Sequence, residues 1–364
     1  MPSTIAAEPS PAAPARPRGR ILFLDAISPN GYGREVLSAR ASGGTQSSIV
    51  RVAESLAGSF EVVVAQIGRT APAPGAVRYV RLVPAELEGE SWDAIVAVRH
   101  PQAIPMIRAR LPEVPLFLWM QDLVDWWPRD LWAMIARGNV RVVANSHFHR
   151  RHMLAEAARS APDLPALRIT TIPNPVDDSL GPDGTPVDPE KLVFFSAPSK
   201  GLRETLELFR AARAENPAYR LYVANPGYQP VPDFAEHPGV VDLGPLPQGE
   251  VLRHVREALC VFYPNRVYAE TFGLVFAESN AVGTPVLTHP LGAAPEVLRP
   301  AGEQIVNCAD PAAVLDRLRE WRAGNRPAVH LRGRFRLRAV ARAWERLLGS
   351  ELPARRPESR RGCP

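Results

Sequence analysis

Lysine is almost missing from this chain: of 43 basic residues only Lys191 and Lys200 are lysines. Where arginine supplies nearly every charge, a lysine is there for its compact ammonium. Chance accounts for Lys191, and Lys200 stands out. Cysteine is scarce as well. Cys260, Cys308 and Cys363 share no metal-ligand spacing and cannot all pair, which excludes a disulfide framework and fits a reducing cytoplasm. No apolar run is long enough for a transmembrane helix. Residues 1–20 are rich in Pro and Ala and lack the apolar core of a signal peptide, so they read as a disordered lead. No D-x-D pair of carboxylates occurs anywhere, so no metal is expected from that source.

What is present supports two cores. At 364 residues with 46% hydrophobic content the chain exceeds the size of one core. The net charge of +5 is unevenly placed, since residues 330–364 hold ten arginines and three glutamates. Such a tail suits contact with anionic lipid headgroups or an acidic partner, beside the plainer reading of a solvated end. A basic tail with no stacking platform argues against nucleic acid.

Taken in order, Ile21 to Asp25 reads as a buried first strand. The loop after it ends at Ser42-Gly43-Gly44-Thr45 and leads into a helix with Ile49, Val50, Ala53 and Leu56 on one face. Gly43 and Gly44 would let the backbone approach a diphosphate; equally, Ser42 or Thr45 would cap the helix. Further strands are expected at 61–66, 77–82, 94–98, 115–120, 140–146 and 169–173, giving a mostly parallel sheet. Trp119, Trp126, Trp127 and Trp132 read mainly as packing, with one or two left to line a cleft for an acceptor. His147, His149 and His152 have no further ligand at a metal spacing, and Ser146 looks like a helix cap. The Gly/Pro/Asp-rich stretch 178–190 reads as a linker. Beyond it, 192–197 is a strand, Ser199-Lys200-Gly201 a loop of phosphate size, and Leu202, Leu206 and Phe209 the apolar face of a helix. Strands at 220–225, 240–243, 260–263 and 285–288 complete a second Rossmann-like sheet, and 335–348 is an amphipathic closing helix.

The chain is organised around Tyr268 to Pro295. Glu270 and Glu278 have seven residues between them, and Gly273 follows the first. A short helix opening near Thr271 and stopping at Gly283 would bury Glu278 among Leu274, Val275, Ala281 and Val282. A lone carboxylate there would cost several kcal/mol, so it needs a protein or ligand partner. Free amides of residues 272 to 274 would point at an anion. Two acceptor carboxylates around an anion-binding helix start suit a nucleotide sugar; a capped core helix whose glutamates meet a buried arginine is the plain alternative.

This segment resembles the E-x7-E signature of the family 4 retaining glycosyltransferases, as do D-L-G-P-L-P at 242–247, V-F-Y-P-N at 261–265 and G-A-A-P-E-V-L at 292–298. The resemblance implies an α/β GT-B fold: two Rossmann-like domains facing across a cleft, with a C-terminal helix crossing back to the first. The expected divisions are a lead at 1–20, an acceptor-side domain at 21–177, the linker, a donor-binding domain at 191–330, the closing helix at 331–349 and a basic tail at 350–364. It also implies a hexose-type transfer from a UDP- or GDP-sugar to an acceptor hydroxyl on a small molecule, glycolipid or glycan, without a metal or a resident cofactor. Glu278 would then accept from the ribose and Glu270 from the hexose. The amides of Phe272, Gly273 and Leu274, with Lys200 and the Gly43-Gly44 loop, would hold the diphosphate. Two departures stand out. Gln121 occupies a place where relatives carry a histidine; it can hydrogen-bond a sugar but cannot act as a base, and His100 is the nearest substitute. The arginine expected before Lys200 is missing, leaving Arg203 or Arg266 to supply its charge. A catalytically silent nucleotide-sugar-binding subunit and a GT-B epimerase are the rival readings.

Overall fold

The structure is a computed structural model that describes residues 17–87, 89–231 and 233–352. Most of the expected lead and most of the basic tail, with Cys363, lie outside these residues.

Apolar runs bounded by turn residues give two wholly parallel sheets. The first holds β1 (Arg20–Asp25), β2 (Glu61–Gln66), β3 (Val77–Arg81), β4 (Ala94–Val98), β5 (Leu116–Trp119), β6 (Arg141–Ala144) and β7 (Arg168–Thr171), in the order β3-β2-β1-β4-β5-β6-β7. The second holds β8 (Asp188–Phe195), β9 (Arg220–Asn225), β10 (Val240–Pro245), β11 (Ala258–Tyr263) and β12 (Val286–Thr288), in the order β10-β9-β8-β11-β12. Central strands such as β4, with Ala94 to Val98 all buried, are apolar on both faces because helices cover both. In each sheet the strand order reverses beside the first strand, between β1 and β4 and between β8 and β11. A crevice opens at such a switch point, beyond the carboxyl ends of the strands.

Two corrections concern the ends of elements. Strand β8 starts at Asp188, inside the stretch expected as linker. The helix expected to open near Thr271 spans Leu274–Ala281, with Gly273 as its left-handed cap at φ 79°.

The closing helix, Leu337–Glu351, returns to the first sheet. Its Val340, Trp344, Leu347 and Leu348 join that sheet's core, and the Trp344 ring lies 4.9 Å from Trp119 and 6.2 Å from Phe23. Main-chain bonds set its entry: Val176 donates to Phe335 at 2.9 Å and Leu337 to Val176 at 2.8 Å. Both crossings between the sheets, at Val176 and at Arg336, therefore run side by side.

Candidate active site

The site lies where the two switch points face each other. After β8 the chain turns through Lys200 to Gly201, which takes φ 93°; a Cβ there would stand 3.0 Å from the Asn265 side chain. The turn sends Lys200 toward Glu270, whose two carboxylate oxygens each accept from Nζ at 3.0 Å. The Tyr263 hydroxyl donates to the same carboxylate at 2.9 Å, and the ammonium lies 4.6 Å from the Tyr268 ring centre. Burial alone would lower the Lys200 pKa; the Glu270 carboxylate holds it above its ordinary value. This is a preset cation and a preset acceptor side by side.

Glu278 is buried. Gln248 Nε2 donates to its Oε1, and Arg51 Nη1 stands 3.8 Å away. Burial raises the Glu278 pKa, with the Arg51 charge opposing it. Arg51 comes from helix Gly44–Leu56 of the first sheet, so a guanidinium crosses the cleft to reach this carboxylate. Arg51 Nε and Nη1 have no hydrogen-bond partner. The buried arginine of the plain reading is thus present, opposite Glu278 and not Glu270.

Two helix starts meet here. The amides of Phe272, Gly273 and Leu274 donate to nothing among the described residues. A Cβ on Gly273 would strike the Phe276 ring at 2.4 Å, so this start admits no side chain. Helix Gly44–Leu56 begins against it: a Cβ on Gly44 would lie 2.9 Å from Leu274 Cδ1, and one on Gly43 3.4 Å from the Tyr228 ring. Neither Ser42 nor Thr45 caps that helix; Gly43 is its N-cap, and Ser42 bonds Ser47 instead. Tyr228 reports how close the groups are. Burial raises its pKa, and its hydroxyl feels Lys200, Glu270, Arg99 and Asp122, residues of both halves.

Three expectations need correction. Gln121 is held by its neighbours: its Nε2 donates to Asn174 Oδ1 at 3.0 Å, and its Oε1 accepts from Asn174 at 2.8 Å and from Asn145 at 3.3 Å, which leaves one N-H of Nε2 as its remaining donor. Arg203 has an 81% exposed side chain and pairs with Glu204, away from Lys200, and Arg266 is also exposed. Lys191 is not a chance lysine. It is buried, donates to Glu257 and lies 3.0 Å from His254 and 4.4 Å from the Tyr222 ring centre.

The histidine segment is architectural. Ser146 caps its helix, accepting from the His149 amide at 2.9 Å. Buried His149 donates from Nε2 to the Asp122 carbonyl at 3.0 Å, and burial pushes its pKa down to about 4. His100, partly buried, has its pKa lowered by the same cause. Glu296 of the second half accepts from the amides of His147 and Phe148 at 3.1 and 3.0 Å, satisfying the start of a helix in the first. Thr271 adds to the joint: its hydroxyl donates to the Gln121 carbonyl at 2.7 Å and accepts from Asn145 at 3.0 Å. Of the tryptophans, Trp119 and Trp132 are buried, Trp127 packs on Trp132 at 5.0 Å, and Trp126 is 88% exposed.

Residues 190–322 match the family model described as Glycosyl transferases group 1. This stretch is similar to the glycosyltransferase domains that the model describes. It contains Lys200, Gln248, Glu270, Gly273 and Glu278. The chain is 30% identical over 185 residues to D-inositol 3-phosphate glycosyltransferase from Thermobifida fusca (strain YX), a match covering 44% of this chain and 41% of that protein. It therefore spans about two-fifths of the length of this curated relative. The fold, two parallel Rossmann-like sheets in the GT-B arrangement, recurs in solved structures. Sucrose-phosphate synthase from Thermosynechococcus elongatus superposes with a TM-score of 0.63 at 15% identity, covering 92% of this chain and 99% of that one. Anabaena HepE, in complex with UDP and glucose, gives 0.58 at 15% identity, covering 92% and 100%.

Proposed function

We propose that the chain is a family 4, retaining glycosyltransferase of the E-x7-E type that moves a hexose-type sugar from a UDP- or GDP-sugar to an acceptor hydroxyl. The observation that carries this reading is the Lys200–Glu270 pair beside the open amides of Phe272 to Leu274. A donor would exchange the pair: its diphosphate takes the Lys200 ammonium and the amides, and a hexose hydroxyl takes Glu270. Glu278 would accept from the ribose once Gln248 gives way. The solved HepE complex with UDP and glucose supports a donor of this chemistry on this fold.

In the reaction the bond from the anomeric carbon to the phosphate oxygen breaks, and a bond from that carbon to the acceptor oxygen forms on the same face. The acceptor proton passes to the departing phosphate oxygen. The protein's part is to stabilise the charge that develops there, through Lys200 and the helix start. Gln121, held by Asn174 and Asn145, would wall the sugar site with one N-H left to offer a hydroxyl. With protein charges holding the diphosphate, activity should survive EDTA.

A second reading, a catalytically silent nucleotide-sugar-binding subunit, draws support from that engaged Gln121. A metal-free panel of nucleotide sugars, followed by thermal shift and by slow donor hydrolysis, separates the two. Stabilisation with hydrolysis supports the transferase, stabilisation alone favours the silent subunit, and loss of hydrolysis on chelation ends the metal-independent mechanism.

A further inference from the structure

Arg99 follows β4 directly, at the switch point of the first sheet. Its backbone takes φ 59°, in the left-handed region that a long side chain rarely occupies. Its side chain is only 15% exposed, Nε is fully enclosed, and none of its five N-H groups has a hydrogen-bond partner among the described residues. The nearest carboxylate, Asp122, stands 3.7 Å from Nη1 and is itself 52% exposed. Asp25, at the end of β1, is already taken by the Tyr32 hydroxyl at 2.7 Å and by the amides of Ile27 and Ser28. A structural arginine in the same half, Arg108 on helix Ile104–Arg110, behaves differently: it spends its donors on the carbonyls of Gly138, Val114 and Pro112. Arg99 combines a strained backbone with an enclosed, unbonded Nε, and the described residues offer its guanidinium one ion pair, with Asp122, and no hydrogen bond.

The surroundings say what would return it. Arg99 pairs with Asp122, the residue after Gln121, whose carbonyl accepts from Thr271 at 2.7 Å beside Glu270, so it stands on the first half's side of the same cleft as the Lys200–Glu270 pair. Lys200 and the helix start supply the donor's diphosphate with its partners, and Arg99 belongs to the other half. A planar fork of donors fits an oxyanion two bonds at a time.

We propose that Arg99 receives an oxyanion, a phosphate or a carboxylate, carried by the acceptor, and so selects anionic acceptors. This rests on the transferase reading above. The test uses the full chain at constant ionic strength, first with UDP or GDP, then with inorganic phosphate or acetate added at saturating nucleotide. The wild type should gain a further, saturable rise in Tm with phosphate or with acetate, and which of the two acts names the anion. Arg99→Asn tolerates left-handed backbone, so it should keep nucleotide binding unchanged and lose the anion response. Arg99→Lys should keep only part of it. If Arg99→Asn weakens nucleotide binding by about tenfold or more, Arg99 serves the donor and the inference fails. It fails equally if neither anion acts on the wild type, or if the variant responds as the wild type does. If no nucleoside diphosphate binds the wild type, the transferase reading itself falls and takes this one with it.

Discussion

Glu270 and Glu278 are both withdrawn from water, and their partners differ in kind. Glu270 faces an ammonium and a phenol that a ligand can replace, whereas Glu278 faces an amide and an arginine from the other half of the molecule. Lys200→Ala should therefore lower kcat by about 100-fold or more, the usual effect of removing one preset transition-state donor. Steady-state kinetics on the named donor would show it, and a change confined to KM would count against the role. At Gly273 the constraint is steric. Gly273→Ala places a methyl against Phe276 at a left-handed φ, so a loss of about 1–3 kcal/mol in denaturant titration is expected together with loss of nucleotide binding. His149 supplies a pH dependence. Its folded pKa of about 4 lies below the unfolded value near 6.5, so its share of stability is complete above that value and is lost as pH falls through about 4. That limb amounts to about 3 kcal/mol, and His149→Gln should flatten it in urea titrations run between those pH values.

Among the elements, the closing helix matters most because it ties the end of the chain to the first core. Trp344 is fully buried between Phe23 and Trp119, so Trp344→Ala should cost about 3–5 kcal/mol, measured by urea unfolding. The amphipathic pattern of 335–348 announced this helix in sequence, though not that its apolar face meets Trp119. Strand and helix positions were legible for a simple reason: buried parallel strands read as continuous apolar runs, and glycines mark the turns between them. The ends moved where packing from distant residues decides the start. Gly273, not Thr271, opens its helix, and Gly43 takes the cap expected of Ser42 or Thr45, because the side chains of Phe276, Gln46 and Tyr228 press on these starts and leave room for no Cβ at Gly273.

The whole molecule is held in its present closure by contacts that reach across the cleft: Glu296 on the amides of His147 and Phe148, Thr271 between Gln121 and Asn145, and Arg51 toward Glu278. Glu296→Ala removes two accepting oxygens from a helix start, a loss of about 1 kcal/mol by denaturant titration. It should also loosen the closed arrangement, seen as a larger radius of gyration by solution scattering without ligand. An unchanged radius would mean that the remaining contacts suffice. No helix among the described residues is long and apolar enough to cross a membrane.

From the sequence alone one could determine two parallel sheets, the returning helix, and the carboxylates, lysine and glycines gathered around one helix start. Each is a local matter: apolar runs, turn residues and spacing within one element carry it. Only the tertiary structure decided which partners these residues meet. Gln121 goes to Asn174, Glu278 to Gln248 and Arg51, and Lys191 to Glu257, over separations of 30 to 227 residues that no local pattern encodes. Arg99 shows the same limit: the sequence places it after a strand, but only the folded chain leaves its Nε enclosed and its guanidinium without a hydrogen bond among the described residues.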